Sequence, residues 1–526
     1  MKSLVSLKSF SVFPEYFITF SLLYLLIVVS LLVYSSRVLI LQKSVSESIA
    51  LILFMSCYLL LNDDLITLNY LSFNNSIVND YLSFLTKFIL CFFAGLYFLV
   101  ISEFLQEQKI ITFEYLIIAL FSTLGLLVMC SSNDLLITYL ALELSSLALY
   151  LLASFKKTST YSIESGIKYF IIGAISSAFF LLGSSILYGI SGSINFQDFH
   201  YLFRNLHFMA FRSYYWDEHN SMYILLYLIL EDYGLPTLAQ FQSSLIEIGL
   251  VLILFSLFIK LSLAPFHLWS LDVYEGSPTS SSIFFAVITK LSIFVVLVRL
   301  CYACFYTLSD SWQFYFCTIG ILSIFAGSFG GLQQRKLKTL LAYSSISHMG
   351  YIILIIATGF AFSVHLFLFY MIAYMFSSLI IWSLLLFLRL KFKSVSSKFS
   401  KNIGDLALLS KSNSSLALVF LITLFSLAGL PPLLGFITKF GVFLPLIRGH
   451  YNGVALLSIL LTIVSTFYYI RLIKIIYFEN ILVGQLYYPI NTEKTLIISI
   501  LTLLLIFCFL NPTLLYLICC KIIFIS

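Results

Sequence analysis

Three lysines, a glutamate and a histidine stand inside long apolar runs of this chain. Glu143 lies in DLLITYLALELSSLALYLL, Lys260 in LVLILFSLFIKLSLAPFHLW and Lys290 in SSSIFFAVITKLSIFVVLVRL. His348 lies in LLAYSSISHMGYIILI and Lys439 in FSLAGLPPLLGFITKF. A charge at the centre of a membrane helix costs roughly 2.5–3.5 kcal/mol on insertion scales, so each of these groups needs a reason. Glu143 is nine residues past Asp134, about 14 Å at 1.5 Å per residue, which is beyond snorkelling range. Lys290 is ten residues past Ser280 and His348 eleven past Leu337. Lys260 is deep only if its run continues past Pro265, and Lys439 follows the pair Pro431-Pro432.

An isolated lysine near a helix end is best read as a snorkelling side chain. Five titratable groups in five different runs change that balance, because a helix bundle can bring them together in its interior. Proton transfer asks for these types. Burial and neighbouring charge move lysines and carboxylates toward neutral pH, and histidine titrates there unaided. We therefore set a proton relay above scattered snorkelling as the reading of this group. Lys168, in ESGIKYFIIGAISS, is only about a turn inside its run and reads by position as a helix-start lysine.

The elements that must hold these groups follow from composition. The chain has 526 residues, of which 61% are hydrophobic and 10% charged, with a mean hydropathy of +1.05. A soluble domain carries about 25% charged residues, so most of this surface faces lipid. Without water the backbone must bond to itself, and the continuous apolar runs lack the alternation of barrel strands, so helices are expected. Fourteen spans are predicted: 14–36, 46–62, 81–105, 113–131, 134–155, 164–190, 244–264, 278–302, 311–330, 337–359, 361–389, 415–447, 453–478 and 494–518. The second is short and the twelfth too long for one straight helix. Loops after odd-numbered spans hold most of the basic residues, among them Lys43, Lys156, Lys157, Arg335, Lys336 and Lys401. That side is therefore inside and both termini lie outside.

Pro265 and Pro432 interrupt spans 7 and 12, five spans apart. An odd-numbered repeat inverts its topology, and broken helices at matching positions of inverted repeats mark transport sites. The expected class is an all-α integral membrane protein of about 14 helices, with inverted five-helix repeats over spans 4–8 and 9–13. The expected divisions are a three-helix segment at 1–112, repeats at 113–310 and 311–480, and a last helix at 481–526. The long connection 193–243 contains His200, His207, Trp216, Asp217, Glu218, His219, Glu231 and Asp232. Their spacing fits no metal template, so a solvated loop with an amphipathic helix near 221–232 is expected. Cys301 and Cys304 form a lone CxxC, read as packing. The first run has no A-x-A-like cleavage site and is read as a retained span. No P-loop, GxGxxG or cysteine cluster offers a nucleotide, flavin or iron–sulfur site, and no metal is expected.

Several stretches together resemble the antiporter-like subunits of NADH:ubiquinone oxidoreductase (respiratory complex I). They are LALELSSLALYLLASFKK, GIKYFIIGAISSAFFLLGSSILYG, IKLSLAPFHLWSLDVYEGSPTSSSIFFAVITKLSIFVVLVRL, AGSFGGLQQRKLKTLLAYSSISHMGYIIL and FSLAGLPPLLGFITKF, spread over about 134 to 440. APFHLW-x-x-DVYEGSP followed by TK-x-SIF matches the subunit 2 branch of that family. Less of the wording before 130 and after 445 matches, and the 193–243 connection is longer than the family implies. The resemblance implies proton translocation coupled to quinone reduction elsewhere in the complex. By motif position, Glu143 is the family's fifth-helix glutamate, Lys260 the seventh-helix lysine it tunes, and Lys290 the central eighth-helix lysine. Lys439 is the twelfth-helix lysine of the exit half-channel, Lys168 the sixth-helix lysine, and His348 a relay between Lys290 and Lys439. The resemblance also implies partners among the other membrane-arm subunits, lipids such as cardiolipin and no nucleic acid. Flavin, iron–sulfur clusters and ubiquinone are expected in partner subunits. Abundant Phe and Tyr favour an organellar gene and the mitochondrial inner membrane, with a bacterial plasma membrane as the alternative. The rival readings are a cation/proton antiporter or membrane hydrogenase subunit of the same superfamily, a mainly structural subunit, and an independent secondary transporter.

Overall fold

Residues 12–32, 38–67, 70–107, 113–203, 238–390, 398–479, 487 and 490–520 are described by a computed structural model. Span 1 is Phe13–Leu32, span 2 Val38–Thr67, span 3 Tyr81–Ile101, span 4 Glu114–Ser131 and span 5 Leu135–Ala153. Span 6 is Thr160–Ser191, and span 7 is Leu238–Leu261 followed after a break by Leu268–Gly276. Span 8 joins Thr279–Val287 to Thr289–Val298 and ends in one wide π turn, Arg299–Cys304. Spans 9, 10 and 11 are Ser309–Leu332, Leu337–Ala357 and Ala361–Phe387. Span 12 is split into Ser414–Ala428 and Leu434–Arg448, and spans 13 and 14 are Asn452–Tyr477 and Thr492–Leu510. Thirteen helices among the described residues are long and apolar enough to cross a membrane; the split span 12 makes the fourteenth crossing.

The expected second span grows from a short run to a 30-residue helix, because Gln42 and Lys43 at its start do not stop the helix that hydropathy alone would end. Span 8 is interrupted at Ile288, a feature with no proline to announce it. His207, Trp216, Asp217, Glu218, His219, Glu231, Asp232 and the helix expected near 221–232 lie outside the described residues.

Two rims fix the topology. On the first, the hairpin Tyr70–Ser72 with Ile77–Asn79 bridges through Ile77 to Ser132, and Asp134 bridges to Asn195. Asn133 donates to the Asn75 carbonyl at 2.8 Å, and Arg299 pairs with Asp80 at 2.6 Å. These loops follow even-numbered spans or lead into the next. On the opposite rim Lys43 pairs with Glu103 and Glu493, each at 3.2 Å, Lys336 pairs with Glu275, and Lys336 bridges to Asn402. Those residues flank odd-numbered crossings, so the alternation expected from the basic loops holds throughout the described chain. Span 7 thus runs from the first rim to the basic rim and span 12 runs back, which is the inversion an odd repeat requires.

Burial is graded. Span 8 is buried along its whole apolar stretch, and spans 10 and 11 nearly so, whereas spans 6 and 13 turn most of their surface outward. Such all-round apolar helices at the centre leave no solvated face, so any charge on them is enclosed by protein.

Candidate functional site

Lys260 is the penultimate residue of the first half of span 7. Because Leu268–Gly276 continues the crossing to the basic rim, where Glu275 meets Lys336, the lysine sits in mid-span beside a break. Its Nζ donates to the Tyr150 hydroxyl at 3.3 Å and lies 5.7 Å from that ring's centre. Glu143, two turns before Tyr150 on span 5, is close enough for its charge to act on Lys260. Its Oε1 is buried and has no hydrogen-bond partner among the described residues.

Lys290 stands two residues past the interruption in span 8. It is 3% exposed, and its ammonium makes no hydrogen bond to any described residue. What faces it are two rings, Tyr274 at 6.0 Å and Tyr374 at 5.6 Å. Between Lys260 and Lys290 lies a small cavity of about 30 Å³ lined by Ser145, Ser146, Tyr169, Ser262, Tyr274 and Thr289 as well as both lysines. Its hydroxyls give water the polar partners that an internal site requires.

The second half of the site is built on span 12. Gly429 ends Ser414–Ala428 in the left-handed region, φ 79°, and its amide and that of Leu430 cap the carbonyls of the last turn. This glycine-capped end, followed by Pro431-Pro432, lets Leu434–Arg448 restart so that Lys439 folds back over the break. Lys439 Nζ donates to the Ala428 carbonyl at 2.7 Å and lies 5.4 Å from the Tyr351 ring. A cation at a helix C-terminus meets the negative end of the backbone dipole. His348 sits in the middle of span 10, with Nδ1 2.8 Å from the Tyr370 hydroxyl and Nε2 3.5 Å from that of Tyr469. A small cavity of about 20 Å³ joins His348, Lys439, Tyr370, Tyr374, Ser377 and Thr438.

Five of the six expected residues therefore fall on one interior series: Glu143, Lys260, Lys290, His348 and Lys439. Lys168 does not join it. Its side chain is 42% exposed and paired with Glu164 at 2.8 Å and Asp272 at 2.7 Å, two turns into a helix that begins at Thr160 on the basic rim. The tyrosines that connect the series were not singled out from sequence, since they are scattered among 34. Nor were Lys87 and Glu15, which form a buried ion pair between spans 3 and 1. A lysine six residues inside an apolar run was a visible signal for that one. Cys301 and Cys304 are buried free thiols in the packed end of span 8. No group of His, Cys, Asp or Glu suited to a metal occurs among the described residues.

An interior file of lysines, with small polar-lined cavities beside two broken helices, defines a proton-handling membrane subunit of the antiporter type. The family model for the transmembrane part of NADH:quinone oxidoreductase and Mrp antiporters matches residues 132–466, and the chain belongs to that family. It is similar to NADH-quinone oxidoreductase subunit N of Pelagibacter ubique, 36% identical over 470 residues, covering 89% of each chain. It is also similar to NADH-ubiquinone oxidoreductase chain 2 of Marchantia polymorpha, 35% identical over 450 residues, covering 85% of this chain and 84% of that one. Respiratory complex I from Thermus thermophilus contains a chain of the same fold, with TM-score 0.73, 25% identity, and 96% and 98% of the two chains covered. The Mrp complex of a Dietzia species shares the fold alone, with TM-score 0.75 at 16% identity over 98% of this chain and 97% of that one. Within the family, then, the chain is an antiporter-like membrane subunit of the complex I type. The likeness reaches well beyond the 134–440 stretch that carries the motifs.

Proposed function

We propose that this chain moves protons across the membrane as a subunit of respiratory complex I, driven by quinone reduction in partner subunits. A proton taken from the basic side is stored on Lys260, whose affinity Glu143 adjusts. It passes through the first cavity to Lys290, then by His348 and water to Lys439, and leaves toward the opposite side. The observation that carries this reading is the pair of cavities, one joining Lys260 to Lys290 and the other joining His348 to Lys439. A change of charge in a neighbouring subunit alters the Glu143–Lys260 pairing and sets the cycle in motion.

Lys168, held by Asp272 and Glu164 at the basic rim, serves as a supporting group there. Flavin, iron–sulfur clusters and ubiquinone belong to the partners, which are the other membrane-arm subunits. Cardiolipin-like lipids cover the outward faces of spans 6 and 13. The membrane is the inner membrane of mitochondria, with a bacterial plasma membrane as the alternative.

The test is proton uptake driven by NADH oxidation, with the assembled complex in liposomes. Lys260→Ala and Glu143→Gln are expected to abolish or strongly reduce uptake in a complex that still assembles. Undiminished uptake in both variants would return these charges to a packing role and favour the structural-subunit reading.

A further inference from the structure

The ammonium of Lys290 poses a problem that the relay alone does not answer. A buried charge normally survives by hydrogen bonding or ion pairing, and Lys290 has neither among the described residues. Its surroundings are the faces of Tyr274 and Tyr374. Aromatic faces attract cations, most strongly where water is excluded.

Both rings are fixed in place. The Tyr274 hydroxyl donates to the Phe285 carbonyl at 3.3 Å, and the Tyr374 hydroxyl donates to the Ala286 carbonyl at 3.4 Å. These two carbonyls belong to the last turn before the interruption at Ile288. Thr289 also donates to Phe285 O, at 2.9 Å. Hydroxyls inserted at a helix ladder are a recognised cause of such interruptions. Tyr274 is further held against Phe285, with centroids 6.5 Å apart, and edge-on to Trp382 at 6.0 Å. With their hydroxyl protons turned to the backbone, the two tyrosines offer Lys290 their faces.

The rings also divide the interior. Tyr274 lines the cavity that contains Lys260, and Tyr374 lines the one that contains His348 and Lys439. Lys290 lines the first cavity, and its ammonium lies over both rings.

We propose that Tyr274 and Tyr374 form an aromatic cradle that positions the Lys290 ammonium between the two cavities, so that the lysine passes from one ring to the other as the proton changes cavity. This rests on the relay reading above and adds two positioning residues to it. A π face suits the task because its attraction is broad in angle. A hydrogen bond or a carboxylate would hold the ammonium on one side.

The experiment uses the assembled complex in liposomes and reads protons taken up per NADH oxidised. Tyr274→Leu and Tyr374→Leu, which remove the faces, are expected to lower that ratio roughly fivefold. Tyr274→Phe and Tyr374→Phe, which keep them, should stay within about twofold of the parent. In a Lys290→Met background the leucine changes should cause no additional loss, because the rings act through the lysine. Phenylalanine variants as impaired as leucine variants would put the hydroxyls in the path and overturn the cradle. So would leucine variants with normal uptake, or leucine changes that add to the Lys290→Met defect. Normal uptake by Lys290→Met alone would instead overturn the relay reading beneath the cradle. If the leucine variants assemble poorly, methionine at the same positions makes the comparison with a side chain that fills the space flexibly.

Discussion

Lys87 and Lys290 are both buried lysines in apolar crossings, 1% and 3% exposed, and the molecule treats them in opposite ways. Lys87, on span 3, lies directly against the Glu15 carboxylate. Lys290 has rings and no acceptor. The pattern extends outward from each. Arg299 with Asp80, Lys43 with Glu103 and Glu493, and Lys168 with Asp272 all carry carboxylate partners near the rims or the N-terminal spans. Along the interior series, Lys260 has a phenol and Lys439 a helix-end carbonyl. A paired charge is locked into one protonation state because losing the proton strands its partner. A charge held by rings or a carbonyl, as at Lys290 and Lys439, can give up its proton and strand no carboxylate. Lys260, with Glu143 in reach of its charge, stands between the two kinds. On the proposed relay, the same residue type serves as a weld in one region and as a carrier in the other.

The sharpest way to break that contrast is to neutralise one lysine of each kind. Lys87→Met leaves Glu15 as an uncompensated buried charge, and the cost of breaking such a pair is about 3–5 kcal/mol. Thermal unfolding of the complex, or retention of this subunit in it, should show that loss. The double change Lys87→Met with Glu15→Gln should recover most of it, since replacing both partners of a buried pair is often neutral. Lys290→Met removes a charge that has no partner, so stability should be unchanged or higher while proton uptake is lost. If Lys290→Met destabilised the complex as much as Lys87→Met, the two lysines would be alike and the distinction would fail.

A second comparison separates backbone strain from lysine placement. Gly429 and Gly192 both have left-handed backbones, φ 79° and 70°. A Cβ at Gly192 meets nothing within 4 Å, whereas one at Gly429 would stand 2.5 Å from Cδ of Lys439. Gly192→Ala and Gly429→Ala should each cost about 1–2 kcal/mol in conformational strain. Only Gly429→Ala should also reduce proton uptake, by moving the ammonium off the Ala428 carbonyl. Equal uptake by the two variants, at matched assembly, would mean that the position of Lys439 over the break is unimportant.

Much of this contrast was legible in the sequence because lipid is a strict solvent. Apolar length gave the crossings, basic loops gave their direction, and Pro265 and Pro432 marked the two breaks. Glu143, Lys260, Lys290, His348 and Lys439 were conspicuous as titratable groups in apolar runs. What the pattern did not contain was pairing. Lys87 and Glu15 are 72 residues apart, and only packing of span 1 against span 3 makes them partners. The tyrosines around Lys290 come from spans 7 and 11, so their convergence is a tertiary fact without a local signature. The interruption at Ile288 was hidden for the same reason, since two of the three hydroxyls that meet its carbonyls arrive from other helices. Lys168 is the instructive case: its position alone pointed to a helix start, yet the helix begins two turns earlier at Thr160, and Glu164 and Asp272 hold the lysine there.

Asp134 tests the contrast most gently, because it is a charge outside the crossings that is neither welded nor on the relay. It sits just ahead of span 5 on the rim opposite the basic loops, and its Oδ1 is buried without a hydrogen-bond partner. Burial first, and the neighbouring Asp198 second, push its carboxyl up to about 6. An acid whose folded value lies above its unfolded value near 3.9 favours the native state while protonated. That contribution is complete below about pH 4 and is lost as the pH rises through about 6. The residue is only partly buried, so screening keeps the effect within about 1 kcal/mol. Asp134→Asn should therefore raise the thermal midpoint of the complex at pH 7 by a small amount, and the gain should vanish near pH 4. A lower midpoint at pH 7 would show that the ionised carboxylate is wanted on that rim, as a weld whose cation lies elsewhere in the assembly.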